Sequence, residues 1–194
     1  MRSTVVASLA LTVAALAAPA ANAADSAQAT AQAMSDRCAF ADASPGQASV
    51  GNLRSGTLCL LNAERVARGL RPLRSQGRLA RAAGAFADQM AALKFFDHTS
   101  PTGSTMVSRV RASGYMRRAA SWTIGENIGW GSGSLATPRA AVRGWMNSPP
   151  HRENLLNAQF TEIGVGITPG APEALGDGEV AGIYVTDFGR RRTR

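Results

Sequence analysis

The sequence predicts an α+β domain built as a three-layer α-β-α sandwich, with a small antiparallel sheet between helices. Three observations carry that reading. Apolar residues recur at helical spacing through the first part of the domain, as in Leu79, Ala82, Ala83, Phe86, Met90 and Leu93. The period turns β-like near the end, in Thr161–Thr168 (TEIGVGIT) and Glu179–Phe188 (EVAGIYVTDF), two antiparallel strands divided by the Pro/Gly-containing loop Pro169–Gly178. Between them come a strand-like piece and another helix, an order that lacks the regular βαβ alternation of a parallel sheet. At 194 residues and 45% apolar content, the chain holds one such domain and an N-terminal extension.

The extension reads as an export signal over residues 1–23. Met1 and Arg2 make a short basic start, Val5–Ala18 is almost wholly apolar, and Pro19 with the small-residue pattern Ala21-Asn22-Ala23 follows. The apolar run is shorter than the ~20 residues of a membrane anchor. Cleavage near Ala23 is expected to leave a soluble monomer without a transmembrane anchor, secreted or held in the periplasm or cell envelope. In an oxidising compartment the only two cysteines, Cys38 and Cys59, are expected to pair. A bridge over a loop of that length contributes about 3 kcal/mol on the chain-entropy account. Residues 24–52, rich in Ala, Gln and Ser, read as a poorly ordered arm tethered at Cys38.

The domain proper is read over residues 53–189. Leu58, Leu61, Glu64, Arg65 and Arg68 fit a helix that stops near Gly69 and Pro72. The clearest helix carries the Leu79–Leu93 face and runs into Phe95–Pro101, where Pro101 and Gly103 enforce a turn. Met106–Ser113 gives a short helix stopped by Gly114. SWTIGENIGW, Ser121–Trp130, alternates imperfectly and is broken by glycine, so it reads as an irregular strand or strand-like loop. Thr137-Pro138 is a helix entry, Thr as N-cap and Pro at the first position, and Pro149 is expected to end that helix.

Charge narrows the partners. The formal balance is +8, from 21 basic and 13 acidic residues, and every basic residue except Lys94 is arginine. That bias fits a GC-rich bacterial genome. A positive exported domain is drawn to anionic envelope polymers, acidic lipids or glycans. Nucleic acid is excluded as a partner, because the arginines are scattered and no binding motif accompanies them. Residues 190–194 (RRRTR) read as a solvated basic tail.

Six stretches in order, LNAERVARGL, FFDHTSP, IGENIGW, GWMNSPPHRENLL, FTEIGVG and YVTDFG, resemble the CAP superfamily of cysteine-rich secretory, antigen-5 and pathogenesis-related-1 proteins, in its bacterial, SCP-like branch. The resemblance runs from about Leu53 to Gly189. It implies an α-β-α sandwich of the CAP type, in agreement with the element order. It also implies that His98, His151 and Glu126 of the GEN motif meet in one cleft.

Those residue types would suit a divalent metal. Two imidazoles and a carboxylate are ligands for Zn²⁺ or a similar ion, with a fourth position open. Separations of 28 residues from His98 to Glu126 and 25 from Glu126 to His151 exclude a single-helix metal motif, so the fold must assemble the site. Without a metal, Glu126 would orient a histidine and raise its basicity, as a general base requires. The chain departs from the fuller family pattern, in which a second acid follows the tryptophan of the next helix; one turn after Trp145 stand Asn147 and Ser148.

Each residue also has a plain structural role open to it. His151 could cap a helix or bond a carbonyl, His98 could close a turn, and Glu126 could be a buried carboxylate satisfied by amides. Asn127 and Asn154 are expected to tie loops to backbone groups, and Trp122, Trp130 and Trp145 to wall the core or cleft. Ser100, Ser121 and Ser148 are candidate nucleophiles, but no nucleophile motif accompanies them. Three function classes follow. The first and preferred is a ligand-binding module for a lipid, glycan or metal ion. The second is a hydrolase in which His98, Glu126 and His151 activate water. The third is a structural or interaction protein of the envelope.

Overall fold

The computed structural model describes residues 18–193. Most of the expected export signal, residues 1–17, lies outside the described residues, and the expected cleavage point falls within the first helix, α1 (Ala18–Ser35).

Residues 24–49 depart from the expected loose arm. Ala24 to Ser35 belong to α1, which packs on α2 (Val50–Val66), and turns occupy most of 36–49. Composition misled here because alanine-rich, low-bulk sequence is also what a close helix–helix contact uses. Ala31 and Ala41 are buried. The arm is fastened twice. Cys38 and Cys59 form the expected disulfide, and Arg139 holds Asp42 bidentately, with Nε to Oδ1 2.7 Å and Nη2 to Oδ2 3.0 Å. That pairing depresses the Asp42 carboxyl below its usual value.

Ser49 caps α2, its side chain accepting from the Asn52 N–H. At the other end, Arg65 is buried at 1% exposure. Its guanidinium donates to the carbonyls of Arg71 (3.0 Å), Leu155 (2.6 Å), Asn157 (3.1 Å) and Phe160 (3.4 Å). One side chain thus ties α2 to the segment that follows the last helix.

The sheet has the order β1-β3-β4-β2. β2 (Ala119–Ser132) and β3 (Glu162–Pro169) both pair antiparallel with β4 (Ala181–Thr193), and the two-residue β1 (Arg74–Ser75) adds a parallel edge to β3. The stretch expected to be an irregular strand or loop is therefore a 14-residue strand, irregular only between Ala119 and Ser121. Its glycines serve packing. A Cβ on Gly125 would meet the Phe160 ring and Asn154, and one on Gly129 the Trp145 indole. The expected basic tail is also strand: Arg190 to Thr193 extend β4 and pair with β2.

Period-two alternation sorts the strands onto two faces. On one, Ile163, Val165, Ile167, Tyr184 and Phe188 meet α2, α5 (Pro138–Asn147) and α6 (Pro149–Leu156) through Leu53, Leu61, Trp145 and Leu155. On the other, Ile128, Ile183 and Val185 meet Ala83, Phe86 and Met90 of α3 (Gly77–Leu93), beside the short α4 (Met106–Ala112). Gly164 and Gly166 of β3 lie under α3, which approaches so closely that a Cβ on either would overlap the helix backbone. The result is the expected three-layer α-β-α sandwich.

Thr137 caps α5 through the Ala140 N–H, as expected. Pro149 does more than end that helix. Pro149 and Pro150 are the first two residues of α6, where a missing N–H costs nothing and φ is already helical.

Candidate functional site

Because β2 is an edge strand, groups from both helical layers can reach around it. His98 arrives from the α3 side. That helix ends at Lys94, left-handed at φ 52°, and the Thr99 N–H donates to Asp97 Oδ1 at 2.8 Å to close the turn that follows. His98 Nδ1 then lies 2.8 Å from Glu126 Oε1.

Glu126 sits mid-strand with its side chain 2% exposed. A carboxylate so buried needs compensating partners. His98 supplies one, and Arg109 of α4 the other, with Nη2 2.7 Å from Oε2. Arg109 also donates to the carbonyls of Ser104 (2.7 Å) and His98 (3.1 Å), and its guanidinium lies 3.2 Å from the Phe86 ring centroid. It holds both the glutamate and the turn that presents His98. The bond to Glu126 raises the His98 pKa above 6.5, against the opposing effect of burial.

Asp187 stands opposite Glu126 in the β2/β4 register. It is 1% exposed, and neither carboxyl oxygen has a hydrogen-bond partner among the described residues. Burial first, and the Glu126 charge second, push its pKa well above the ordinary 3.8 although Arg109 is near. Asp187 is thus held toward its neutral form, directly behind the Glu126 carboxyl.

His151 approaches from the other layer, in the first turn of α6. Its Nδ1 is 2.8 Å from Ser148 Oγ. Two amides, the buried Asn127 and the half-buried Asn154, clamp this helix to β2: Asn127 Nδ2 donates to the His151 carbonyl (3.0 Å), while Asn154 Nδ2 donates to the Glu126 carbonyl (3.2 Å) and to Asn127 Oδ1 (3.0 Å). These are the tying roles expected for Asn127 and Asn154. Burial lowers the His151 pKa below 6.5, and the charge of His98 lowers it further.

The residues expected in one cleft are thus brought together unequally. His98 and Glu126 touch; His151 stands near enough to sense His98 but is bonded to Ser148. A three-ligand metal centre does not fit this arrangement. Both Glu126 oxygens are committed, one of them to a guanidinium, and no group of three or more metal-ligating side chains forms among the described residues. Two imidazole Nε2 atoms remain as donors.

Beside His151 opens a groove of about 410 Å³, walled by Phe96, Ile128, Trp130, Leu135 and Trp145 with Ser148 and His151 as its polar end. Trp145 is fixed in that wall by its Nε1–H bond to the Ile128 carbonyl, 2.9 Å. A larger concavity of about 780 Å³ lies between α3 and α4 and includes Arg109, but none of His98, Glu126 or His151 lines it. The groove carries the chemistry. Arg109 and Asp187 were not singled out from sequence. Asp187, an acid in the inward register of a buried strand, offers a signal; Arg109 reads as any helix-surface cation.

An α-β-α sandwich with a histidine–glutamate pair at its sheet edge and a second histidine on the facing helix defines the class. The model of the cysteine-rich secretory protein family, CAP, matches residues 58–179, and the chain belongs to that family. Protein YkwD of Bacillus subtilis is 41% identical over 107 residues, covering 55% of this chain and 39% of the relative. The membrane protein YlbC of the same organism is 33% identical over 110 residues, covering 57% and 30%. The chain therefore spans well under half the length of these relatives. Among solved structures, an extracellular protein of Bacillus anthracis containing an SCP domain aligns with TM-score 0.58 and 29% identity over 71% of this chain and 40% of that one. An outer surface protein of Borrelia burgdorferi shares the fold at TM-score 0.61 and 21% identity, over 75% and 97%. No described helix is long and apolar enough to cross a membrane.

Proposed function

We propose that the chain is an exported ligand-binding module acting at the cell envelope or outside the cell, whose groove takes an amphiphile. The apolar part would lie between Phe96, Trp130, Leu135 and Trp145, and the polar end would meet His151 and Ser148. The observation that carries this reading is the groove itself. Its volume of about 410 Å³ falls within the ~300–1,000 Å³ usual for small-molecule sites, and apolar walls converging on a few polar groups are their usual make-up. The extracellular SCP-domain relative and the N-terminal signal pattern support export. Glu126 and Arg109 then act as supports, holding His98 at the cleft while their own charges are satisfied.

Hydrolysis is the second reading, favoured by one contact. A neutral His151 accepting from the Ser148 hydroxyl at 2.8 Å is the start of a nucleophile–base pair. The two readings separate in one experiment on the exported chain. Titrating palmitate while following tryptophan fluorescence is expected to give saturable binding, weakened about tenfold or more by Gly144→Trp, which fills the groove, and changed by His151→Ala. Turnover of a short-chain ester that vanishes in Ser148→Ala and His151→Ala, with thermal stability kept, would replace binding by catalysis. Zn²⁺, with only two imidazole donors, is expected to bind weakly and to be lost with either histidine.

A further inference from the structure

The arginines that look scattered in sequence are not scattered in the fold. Pairing of Ala119 with Thr193 and of Ser121 with Arg192 brings Arg117 and Arg118, ahead of β2, beside Arg190, Arg191 and Arg192 at the end of β4. Five guanidinium groups gather at one end of the ribbon. Residues 113–125, 157–161 and 188–193, which build this end, contain no acid. Glu162 is nearby in sequence but occupied, accepting from the Tyr115 hydroxyl at 2.7 Å.

The arginines divide by face. Arg191 points to the α3 side, where Nη1 donates to the Tyr115 carbonyl (3.1 Å) and the guanidinium lies 5.1 Å from that ring. Arg190 and Arg192 point the other way, about 7 Å apart along the strand. Neither has an ion-pair or hydrogen-bond partner among the described residues. With Ser121, Thr123 and Gln159 they line a concavity of about 250 Å³; Trp122, paired with Arg191, turns its side chain to the opposite, α3 face.

We propose that this end of the β2/β4 ribbon is a second binding site, for an anionic glycan whose repeating units carry carboxylate or phosphate groups. The charge calls for an anion. Two forked guanidinium groups at a fixed spacing suit planar or tetrahedral oxyanions presented in series. The rest of the lining tells glycan from lipid: the Ser121 and Thr123 hydroxyls and the Gln159 amide suit sugar hydroxyls, and no side chain on this face is apolar enough to hold an acyl chain. The site lies away from the His98 cleft and does not depend on what that cleft binds.

The test uses the exported chain with four probes: polygalacturonate for the carboxylate, polyglycerol phosphate for the phosphate, neutral dextran, and vesicles containing phosphatidylglycerol. Calorimetry is expected to show saturable, salt-sensitive binding to at least one anionic glycan and none to dextran; which of the two anionic glycans binds identifies the anion. Arg190→Ala with Arg192→Ala is expected to weaken it about tenfold or more, and the single exposed change Arg192→Glu to repeat the loss with the thermal midpoint unchanged. Arg81→Ala with Arg143→Ala removes the same charge elsewhere and should change little. Equal losses in both double variants would overturn the site in favour of overall charge. Vesicle binding without glycan binding would overturn the glycan in favour of a membrane surface.

Discussion

Arg65→Ala is expected to destabilise the protein by about 3–5 kcal/mol, the range for removing one partner of a fully buried, charge-bearing network. The reason lies in what it leaves behind. Four carbonyls, of Arg71, Leu155, Asn157 and Phe160, converge on this side chain; Leu155 is in the last turn of α6, and Asn157 and Phe160 belong to the connection from α6 to β3. Desolvation already depresses the Arg65 pKa, so the guanidinium stays charged at a cost that only the carbonyl ring offsets. Lysine has a single donor head and cannot span the ring. Arg65→Lys should therefore recover only part of the loss. Because the ring anchors the C-terminal end of α6, chemical denaturation should show the loss of stability together with faster amide exchange in residues 151–157.

Gly166→Ala and Gly164→Ala are expected to be as severe, each costing about 3 kcal/mol or more. A Cβ at either position would sit inside the backbone of α3, at Ala83 and Gly84 for Gly166 and at Leu79 and Ala80 for Gly164. Overpacking against a flexible side chain can relax by rotation; overpacking against a helix backbone must lift the helix. α3 ends in the turn that presents His98, so the displacement should reach the site. Thermal unfolding measures the stability, and the His98 resonance reports the displacement. Gly51→Ala, at an exposed helical glycine with no steric obstacle, is the control expected to change little.

What was legible in the sequence follows from which forces are local. The Leu79–Leu93 stripe predicts α3 because a single buried face imposes its own period, and Thr137-Pro138 predicts the start of α5 because capping is chemistry within one turn. The glycines of β2 and β3 mislead because they answer to Trp145, Phe160 and the backbone of α3, all distant in sequence. Residues 24–35 are helical through their fit against α2, which composition does not record. The same limit applies at the site. His98, Glu126 and His151 stand out by motif and Asp187 by its inward register in a buried strand, whereas Arg109 becomes visible only when α4 is placed beside Glu126. The presence of Arg109 and Asp187 changes the chemistry: a carboxylate already neutralised by arginine supports a histidine better than it binds a metal.

The consequence is that the two histidines are electrostatically unlike. The bond to Glu126 raises the His98 pKa, while burial and the neighbouring positive charge lower that of His151 and favour its neutral form. The signs follow from linkage. The His98–Glu126 contribution to stability is complete below pH 6.5 and is lost as pH rises through the raised pKa of His98; His151 acts in the opposite sense, costing stability as pH falls below 6.5. Since the chain has two histidines, an NMR titration of their ring protons, assigned by His98→Ala and His151→Ala, reads the asymmetry itself. Two separate titrations are expected, His98 above and His151 below 6.5, with Glu126→Gln bringing His98 down. A common midpoint, or the reverse order, would refute the asymmetry and with it the supporting role given to Glu126.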